Sequence, residues 1–451
     1  MKPHLSLLTL CLLLGACGST AQRPDSGIQP PSSWQSPHTQ NATHRNLQWW
    51  TQFGSPELDR LIEQARVGSY DLAAAIARVR QAQADTVIAG GSLLPEVKAG
   101  LNANRQKLLR GSGYSQLDAD SSNKAVDYFD ANLSATYEID FWGGQRASRD
   151  SAQFGLQASE FDRATVELTL LSGVANSYAQ ALSLREQSRI AGLNLANAQN
   201  VLNLVQTRFD SGSATALELA QQKSLVAAQQ RQLPLVQQQA QDALISLAAL
   251  LGRPVQQLRL GAERFEQLSW PTIAAGVPSE LLTRRPDIAR AEAQLAAAQA
   301  DVTVARAAML PAVTLSAELG SGADRAADIL RNPFYNLTAG LLAPVFNNGR
   351  LSAERDKATA RQEELLENYR GAIINGFADV EKALNSIRGL DEQRQWQGEE
   401  LNQAQTAFNI AQSRYEAGAE DLLTVLETQR TLYAAQDLNV QLRLSRLQAS
   451  I

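Results

Sequence analysis

Along residues 128–142, YFDANLSATYEIDFW, apolar and polar positions alternate strictly. The odd positions Phe129, Ala131, Leu133, Ala135, Tyr137, Ile139 and Phe141 are all apolar, and the even positions from Asp130 to Asp140 are all polar. A period of two over this length predicts a strand with two different faces, long enough to cross a membrane at a tilt. Aromatics at both ends suit an interfacial girdle, and carboxylates on one face suit a wet lumen. Taken alone, the stretch fits the edge strand of a soluble sheet equally well.

Three further stretches alternate in the same way. After Pro95, Val97, Ala99, Leu101 and Ala103 interleave with Lys98, Gly100, Asn102 and Asn104. After Pro311, Val313, Leu315, Ala317 and Leu319 interleave with Thr314, Ser316, Glu318 and Gly320. From Phe334, Leu337, Ala339 and Leu341 oppose Asn336, Thr338 and Gly340, and the pattern degrades over 342–346. The intervening stretches 105–127 and 321–333 are rich in Gly, Ser, Asp and Asn, so the four strands form two hairpins. A sheet spanning lipid must close on itself, which takes about eight strands or more. Four cannot close, so strands that span a bilayer imply several copies sharing one barrel.

The remaining pattern is helical and occurs twice. Helical spacing covers about 57–91, then, after the first hairpin, about 145–206, a length of roughly 90 Å at the rise of an α-helix. A break at 208–213 leads into a helix over about 214–251, and a Gly- and Pro-containing stretch, 252–277, follows. The pattern then restarts. LAAAIARVRQAQAD from Leu72 lines up with IARAEAQLAAAQAD from Ile288 at an offset of 216 positions, and Arg208-Phe-Asp-Ser-Gly212 lines up with Arg414-Tyr-Glu-Ala-Gly418 at 206. The chain thus reads as two copies of helix, hairpin, long helix, turn, helix. Leu366, Tyr369, Ile373, Phe377, Val380, Leu384 and Ile387 recur at near-heptad spacing, which predicts a packed seam. The last residue, Ile451, aligns with Ile245, short of the end of the first copy: either the chain is truncated there or its last helix is short.

The N-terminus carries an address. Lys2, the apolar run 5–14 and the small residues before Cys17 form a secretory signal. Leu14-Gly15-Ala16-Cys17 resembles a bacterial lipoprotein box, which would make Cys17 the acylated first residue; the alternative is ordinary cleavage beside an incidental Cys. Gly18, not Asp, follows, so nothing resembles a signal for retention in the inner membrane. Residues 21–45 are polar and Pro- and Ser-rich and predict a poorly ordered tether.

Composition narrows the chemistry. The 451 residues carry a net charge of −5, which gives no reason to expect a nucleic-acid partner. The two cysteines are Cys11 and Cys17, and the three histidines are His4, His38 and His44. From Leu47 onward there is neither, which removes Ser-His triads and most zinc sites; catalysis by carboxylates alone stays open in principle, but no carboxylate pair stands out, so no enzyme activity and no cofactor beyond a lipid on Cys17 are expected. No apolar run after the signal is long enough for a transmembrane helix.

LLTRRPDIARAEAQLAAAQADVTVARAAMLPAVTLSA (281–317), FGSPELDRLIEQA (53–65) and the two R-[FY]-x-x-G turns resemble the TolC-like outer-membrane factors, specifically the lipoprotein branch that serves RND-type efflux pumps. The resemblance covers the chain from the lipobox to its end. It implies an α+β membrane protein. Three chains would contribute four strands each to a twelve-stranded outer-membrane β-barrel, continued by a periplasmic α-helical barrel. It implies a passive exit duct for small molecules, a homotrimer, and as partners a periplasmic adaptor (membrane fusion) protein, an inner-membrane RND-type pump and outer-membrane lipid. The corresponding division is 1–16 signal peptide, 17–50 lipidated tether, 51–251 first copy with hairpin 94–141, 252–283 equatorial connector, and 284–451 second copy with hairpin 310–346 and turn 414–419.

By position in the family, Leu423, Thr424 and Glu427 would line a periplasmic gate with Tyr415 helping to hold it shut, and Arg208, Gly212, Arg414 and Gly418 would sit on the tips that meet the adaptor. Members often carry an acidic residue where this chain has Thr424, so only Glu427 would supply a carboxylate ring. Without the resemblance, Glu427 reads as a solvated carboxylate, and the Arg and Gly positions read as helix C-terminal charges and left-handed turn residues. The rival readings are a lipid-anchored periplasmic coiled-coil scaffold without a pore and the duct of a type I protein secretion system.

Overall fold

The computed structural model describes residues 25–35, 48–107, 125–261, 263–271, 273 and 276–451. The signal, Cys17, all three histidines and much of the first hairpin loop lie outside the described residues. Two compact units are formed, and both long helices contribute residues to each.

The first unit takes in residues 77–161 and 287–372. It holds α2 (Tyr70–Gly91, from Ala77), β1 (Glu96–Gln106), β2 (Val126–Ile139) and the start of α3 (Gly144–Asp210). It also holds α6 (Pro286–Ala307, from Asp287), β3 (Ala312–Ala323), β4 (Pro333–Leu342) and the start of α7 (Arg350–Glu416). The strands make one antiparallel sheet in the order β1-β2-β3-β4. The register preserves parity throughout: Ala99 faces Leu133, Leu133 faces Leu319 and Leu319 faces Tyr335. The odd face is therefore apolar across all four strands, apart from Ser321 and an Arg105–Asp127 ion pair beside the first loop. The even face is polar apart from Val126, Tyr128, Ala312, Phe334 and Leu342 towards the strand ends. β1 and β4 have no strand on their outer edges among the described residues.

β2 stops at Ile139, earlier than the alternation suggests. Asp140 instead serves the next helix: its carboxylate accepts hydrogen bonds from the backbone N–H groups of Gln145 and Arg146 and pairs with the Arg146 side chain at 3.0 Å. Phe141 and Trp142 thus belong to the strand–helix corner, where the Trp142 indole donates to the Pro311 carbonyl at 2.7 Å. β3 runs on to Ala323, so the second hairpin loop is shorter than the reading of 321–333.

The second unit takes in residues 29–76, 162–286 and 373–451. It holds α1 (Pro56–Gly68), the remainder of α3, α4 (Ala216–Leu250), a short α5 (Pro278–Arg284), the remainder of α7 and α8 (Leu422–Gln448). α1 starts where Ser55 caps it, its hydroxyl accepting from the Leu58 N–H at 3.0 Å with Pro56 in the first turn. The single helix expected over 57–91 is two helices. Ser69 is extended and closes α1, and its hydroxyl accepts from the Leu72 N–H at the start of α2. The break brings Gly68 against Leu251: a Cβ on Gly68 would lie 2.6 Å from the Leu251 carbonyl oxygen, and one on Gly252 would strike the Gly68 carbonyl. Glycine at both places is a packing requirement. α4 continues through Pro234, which removes one ladder hydrogen bond without ending the helix.

Two cores stabilise this unit. One joins Trp50, Phe53, Leu58 and Ile62 to Tyr178 and Leu182 of α3, Phe265 of the connector, and Leu444 and Leu447 of α8. Trp49 and Trp50 therefore belong to the folded body and not to the tether assigned to 17–50. Within this core the Tyr178 phenol lies 2.8 Å from Glu263 and 3.1 Å from Glu57, and burial pushes its pKa up. Glu263 also accepts from Ser55, so the connector is tied to the N-terminus of α1. The other core joins Val201, Val205, Phe408, Tyr415, Leu422 and Val425 at the ends of the long helices.

Two residues of the tether, Trp34 and Gln35, are tied to the second unit. The Trp34 indole donates to the Gly276 carbonyl at 3.0 Å and its ring packs edge-on to Phe377, with centroids 6.3 Å apart. The Gln35 N–H donates to Glu381 on the same helix. One half-buried aromatic ties this polar segment to the helix, and Phe377 is a residue of the seam read from heptad spacing.

Candidate functional site

The turns after α3 and α7 converge with the first turn of α8. Each long helix ends on a glycine in the left-handed region, Gly212 at φ 75° and Gly418 at φ 78°. The closing bonds are equivalent: the Ser213 N–H donates to the Arg208 carbonyl at 2.7 Å, and the Ala419 N–H to the Arg414 carbonyl at 2.8 Å. This is the glycine-terminated helix end expected from the two R-[FY]-x-x-G segments.

The turns touch each other through Arg208. Its guanidinium stacks over the Tyr415 ring, 4.5 Å from the centroid, and reaches to within 3.3 Å of where a Gly418 Cβ would stand. Tyr415 is 2% exposed and its buried hydroxyl has no hydrogen-bond partner among the described residues. Tyr433 behaves differently: its hydroxyl donates to the Asn194 carbonyl and accepts from Gln429, both at 2.8 Å, and burial pushes its pKa up to about 12. Arg414 points elsewhere, to Glu420 at 3.3 Å and to the Ala419 carbonyl.

Leu423 and Glu427 lie four residues apart on an exposed face of α8, with Leu423 63% exposed. Arg430, which the sequence reading missed, is exposed one turn further along the same face. Thr424 is half-buried, and its side chain serves the helix start. Its N–H and hydroxyl both donate to the Asp421 carboxylate at 2.9 Å, and the hydroxyl also reaches Glu420. These bonds, the Thr424 N–H first, hold the Asp421 pKa below the usual carboxylate value. Asp421 was legible as a cap, being an acidic residue just before an apolar helix.

Two substitutions separate the parts of this contact. Tyr415→Phe removes an unsatisfied buried hydroxyl, so it should leave thermal stability unchanged or raise it by about 1 kcal/mol. Arg208→Ala should cost about 0.5–2 kcal/mol through the lost cation–π stack. Melting curves of the detergent-solubilised protein decide, and a Tyr415→Phe protein less stable than Arg208→Ala would refute this account of the turn.

Comparison with known proteins fits this architecture. Residues 61–253 and 277–451 match the family described as outer membrane efflux protein. The chain is 65% identical over 449 residues to the pyoverdine export outer membrane protein OpmQ of Pseudomonas aeruginosa, covering 99% of this chain and 95% of that one. It is 27% identical over 451 residues to the cation efflux system protein CusC of Escherichia coli K12, covering 98% and 96%. The solved outer-membrane channel OprN superposes with a TM-score of 0.86 at 25% identity, over 95% of this chain and 97% of that one. With both halves of its helical body and its sheet accounted for in this way, the chain belongs to the outer membrane efflux protein family.

Proposed function

We propose that three copies of this chain form the exit duct of a tripartite efflux system. The protein is an outer-membrane efflux channel, and this reading adds how it is built and what it joins. The sheet carries the reading: four antiparallel strands, one apolar face, one polar face and two bare edges. Pairing β4 of one copy with β1 of the next closes a twelve-stranded barrel with lipid outside and water within. The two runs of helix, hairpin, long helix, turn and helix act as structural repeats, and their helices continue the barrel as a tunnel.

The turns at Arg208, Gly212, Arg414 and Gly418 present a surface to a periplasmic adaptor, which connects the duct to an RND-type inner-membrane pump. Leu423 and Glu427 line the constriction. Thr424 backs it through its cap, and Tyr415 under Arg208 holds the two turns together. A lipid on Cys17 anchors the tether. The duct is passive and performs no catalysis.

The similarity to pyoverdine export proteins favours pyoverdine or a molecule like it as cargo over a protein substrate. Deleting the gene should lower pyoverdine in the medium severalfold and raise it in the periplasm, with recovery on complementation. Normal secretion by the deleted strain would remove this cargo. Purified protein that never conducts ions in planar bilayers, even with the turns loosened by Arg208→Ala, would remove the duct itself.

A further inference from the structure

The polar face of the sheet changes character towards its loop end. Three of its glycines lie beneath neighbouring side chains. A Cβ on Gly320 would come 2.6 Å from the Phe334 ring, one on Gly322 would strike the Tyr128 hydroxyl, and one on Gly100 would strike the Asn132 amide. Gly100, Asn132, Gly320 and Phe334 form one continuous cross-strand row. Glycine beside a large residue lets that residue lie down on the sheet. Tyr128 and Phe334, each about two-fifths exposed, are laid over adjacent glycines and are the two aromatic side chains of the even face among the described strand residues.

The charges of the adjoining rows have one sign. Asp130 pairs in register with Gly322, and Glu318 lies one row beyond Gly320 on the side away from the loop. Asp130 accepts from the Asn102 amide at 2.9 Å and Glu318 from the Asn132 amide at 3.1 Å, and among the described residues neither is in an ion pair. The even face carries Glu96, Asp130, Glu138 and Glu318 against Lys98 alone, and Lys98 is paired to Glu96. Aromatic π-systems present negative faces, and carboxylates beside them add to that field.

We propose that Tyr128 and Phe334, laid over Gly322 and Gly320 and flanked by Asp130 and Glu318, form a binding shelf for planar aromatic cations. This rests on the duct reading, which makes the even face the lumen wall. Hydrogen bonds from the Asn102 and Asn132 amides hold the two carboxylates in the rows adjoining the rings. A planar cation can stack on the rings while its charge meets Asp130 or Glu318. An anion of the same shape would be repelled.

The test is equilibrium binding of ethidium to the detergent-solubilised full-length protein, followed by fluorescence anisotropy. Saturable binding that weakens with salt is expected. The pair Tyr128→Leu and Phe334→Leu keeps apolar bulk and should weaken it about tenfold, the loss of two cation–π contacts. The pair Asp130→Asn and Glu318→Gln should weaken it and flatten its salt dependence. Naphthalenesulfonate, planar and anionic, should not compete. Affinity unchanged in both paired variants, no saturable binding by the wild type, or competition by the anion would each overturn the proposal. Binding that behaves as expected in a protein forming no pores would instead count against the duct.

Discussion

Leu133→Arg should abolish stable outer-membrane trimers, while Ser134→Arg, one residue further on, should leave them assembled. Leu133 sits mid-strand on the apolar face, between Ala99 and Leu319 in register, and is 49% exposed in the single chain. An arginine there would enter lipid near the middle of the span, at a cost of about 2–4 kcal/mol per chain, repeated three times in a trimer. Ser134 belongs to the opposite face, in register with Lys98 and Glu318. An arginine there would face water, with Glu318 as a neighbour. Heat-modifiable bands from outer-membrane fractions read the result directly. Equal loss or equal retention in the two variants would show that the faces do not meet different solvents.

The second large effect is expected at the turns. Gly212→Arg and Gly418→Arg should abolish efflux and leave trimers intact. Both glycines have positive φ, so any side chain costs about 1 kcal/mol of backbone strain. The two differ in surroundings: a Cβ on Gly212 meets nothing within 4 Å, whereas one on Gly418 stands 3.3 Å from Arg208. Gly212→Ala therefore measures strain alone and should keep most activity, while Gly212→Arg adds bulk on an open surface. Export of the proposed cargo, pyoverdine, measured in the complemented deletion strain distinguishes them. If Gly212→Ala is as damaging as Gly212→Arg, strain explains the loss and the surface has no partner to obstruct.

Much of the sheet was legible because strand faces follow from a period of two. The odd and even sets survive pairing across all four strands. The turns were legible because a glycine after Arg-aromatic has few alternatives at a helix end. Boundaries were less so. Phe141 continues the alternation, yet Asp140 is taken by the backbone of α3 and the strand ends before it. The division at Ser69 follows from close packing of Gly68 on Leu251, a contact between residues far apart in sequence. Trp34 gave no periodic signal, since one ring in a polar segment has no pattern; its partner Phe377 was visible only as a seam residue. Of the residues expected at a gate, Leu423 and Glu427 share an exposed face of α8. Thr424, read as their companion, is committed to capping that helix with Asp421.

The central claim is that a four-stranded sheet with two bare edges is one third of a closed barrel. The most direct measurement is native mass spectrometry of the mature protein extracted from membranes in detergent. The account predicts the mass of three chains, each starting at Cys17 and carrying the lipid increment. A monomer or dimer under conditions that keep the protein folded would contradict it, because neither four strands nor eight would give the twelve-stranded barrel that the bare edges of β1 and β4 are proposed to close.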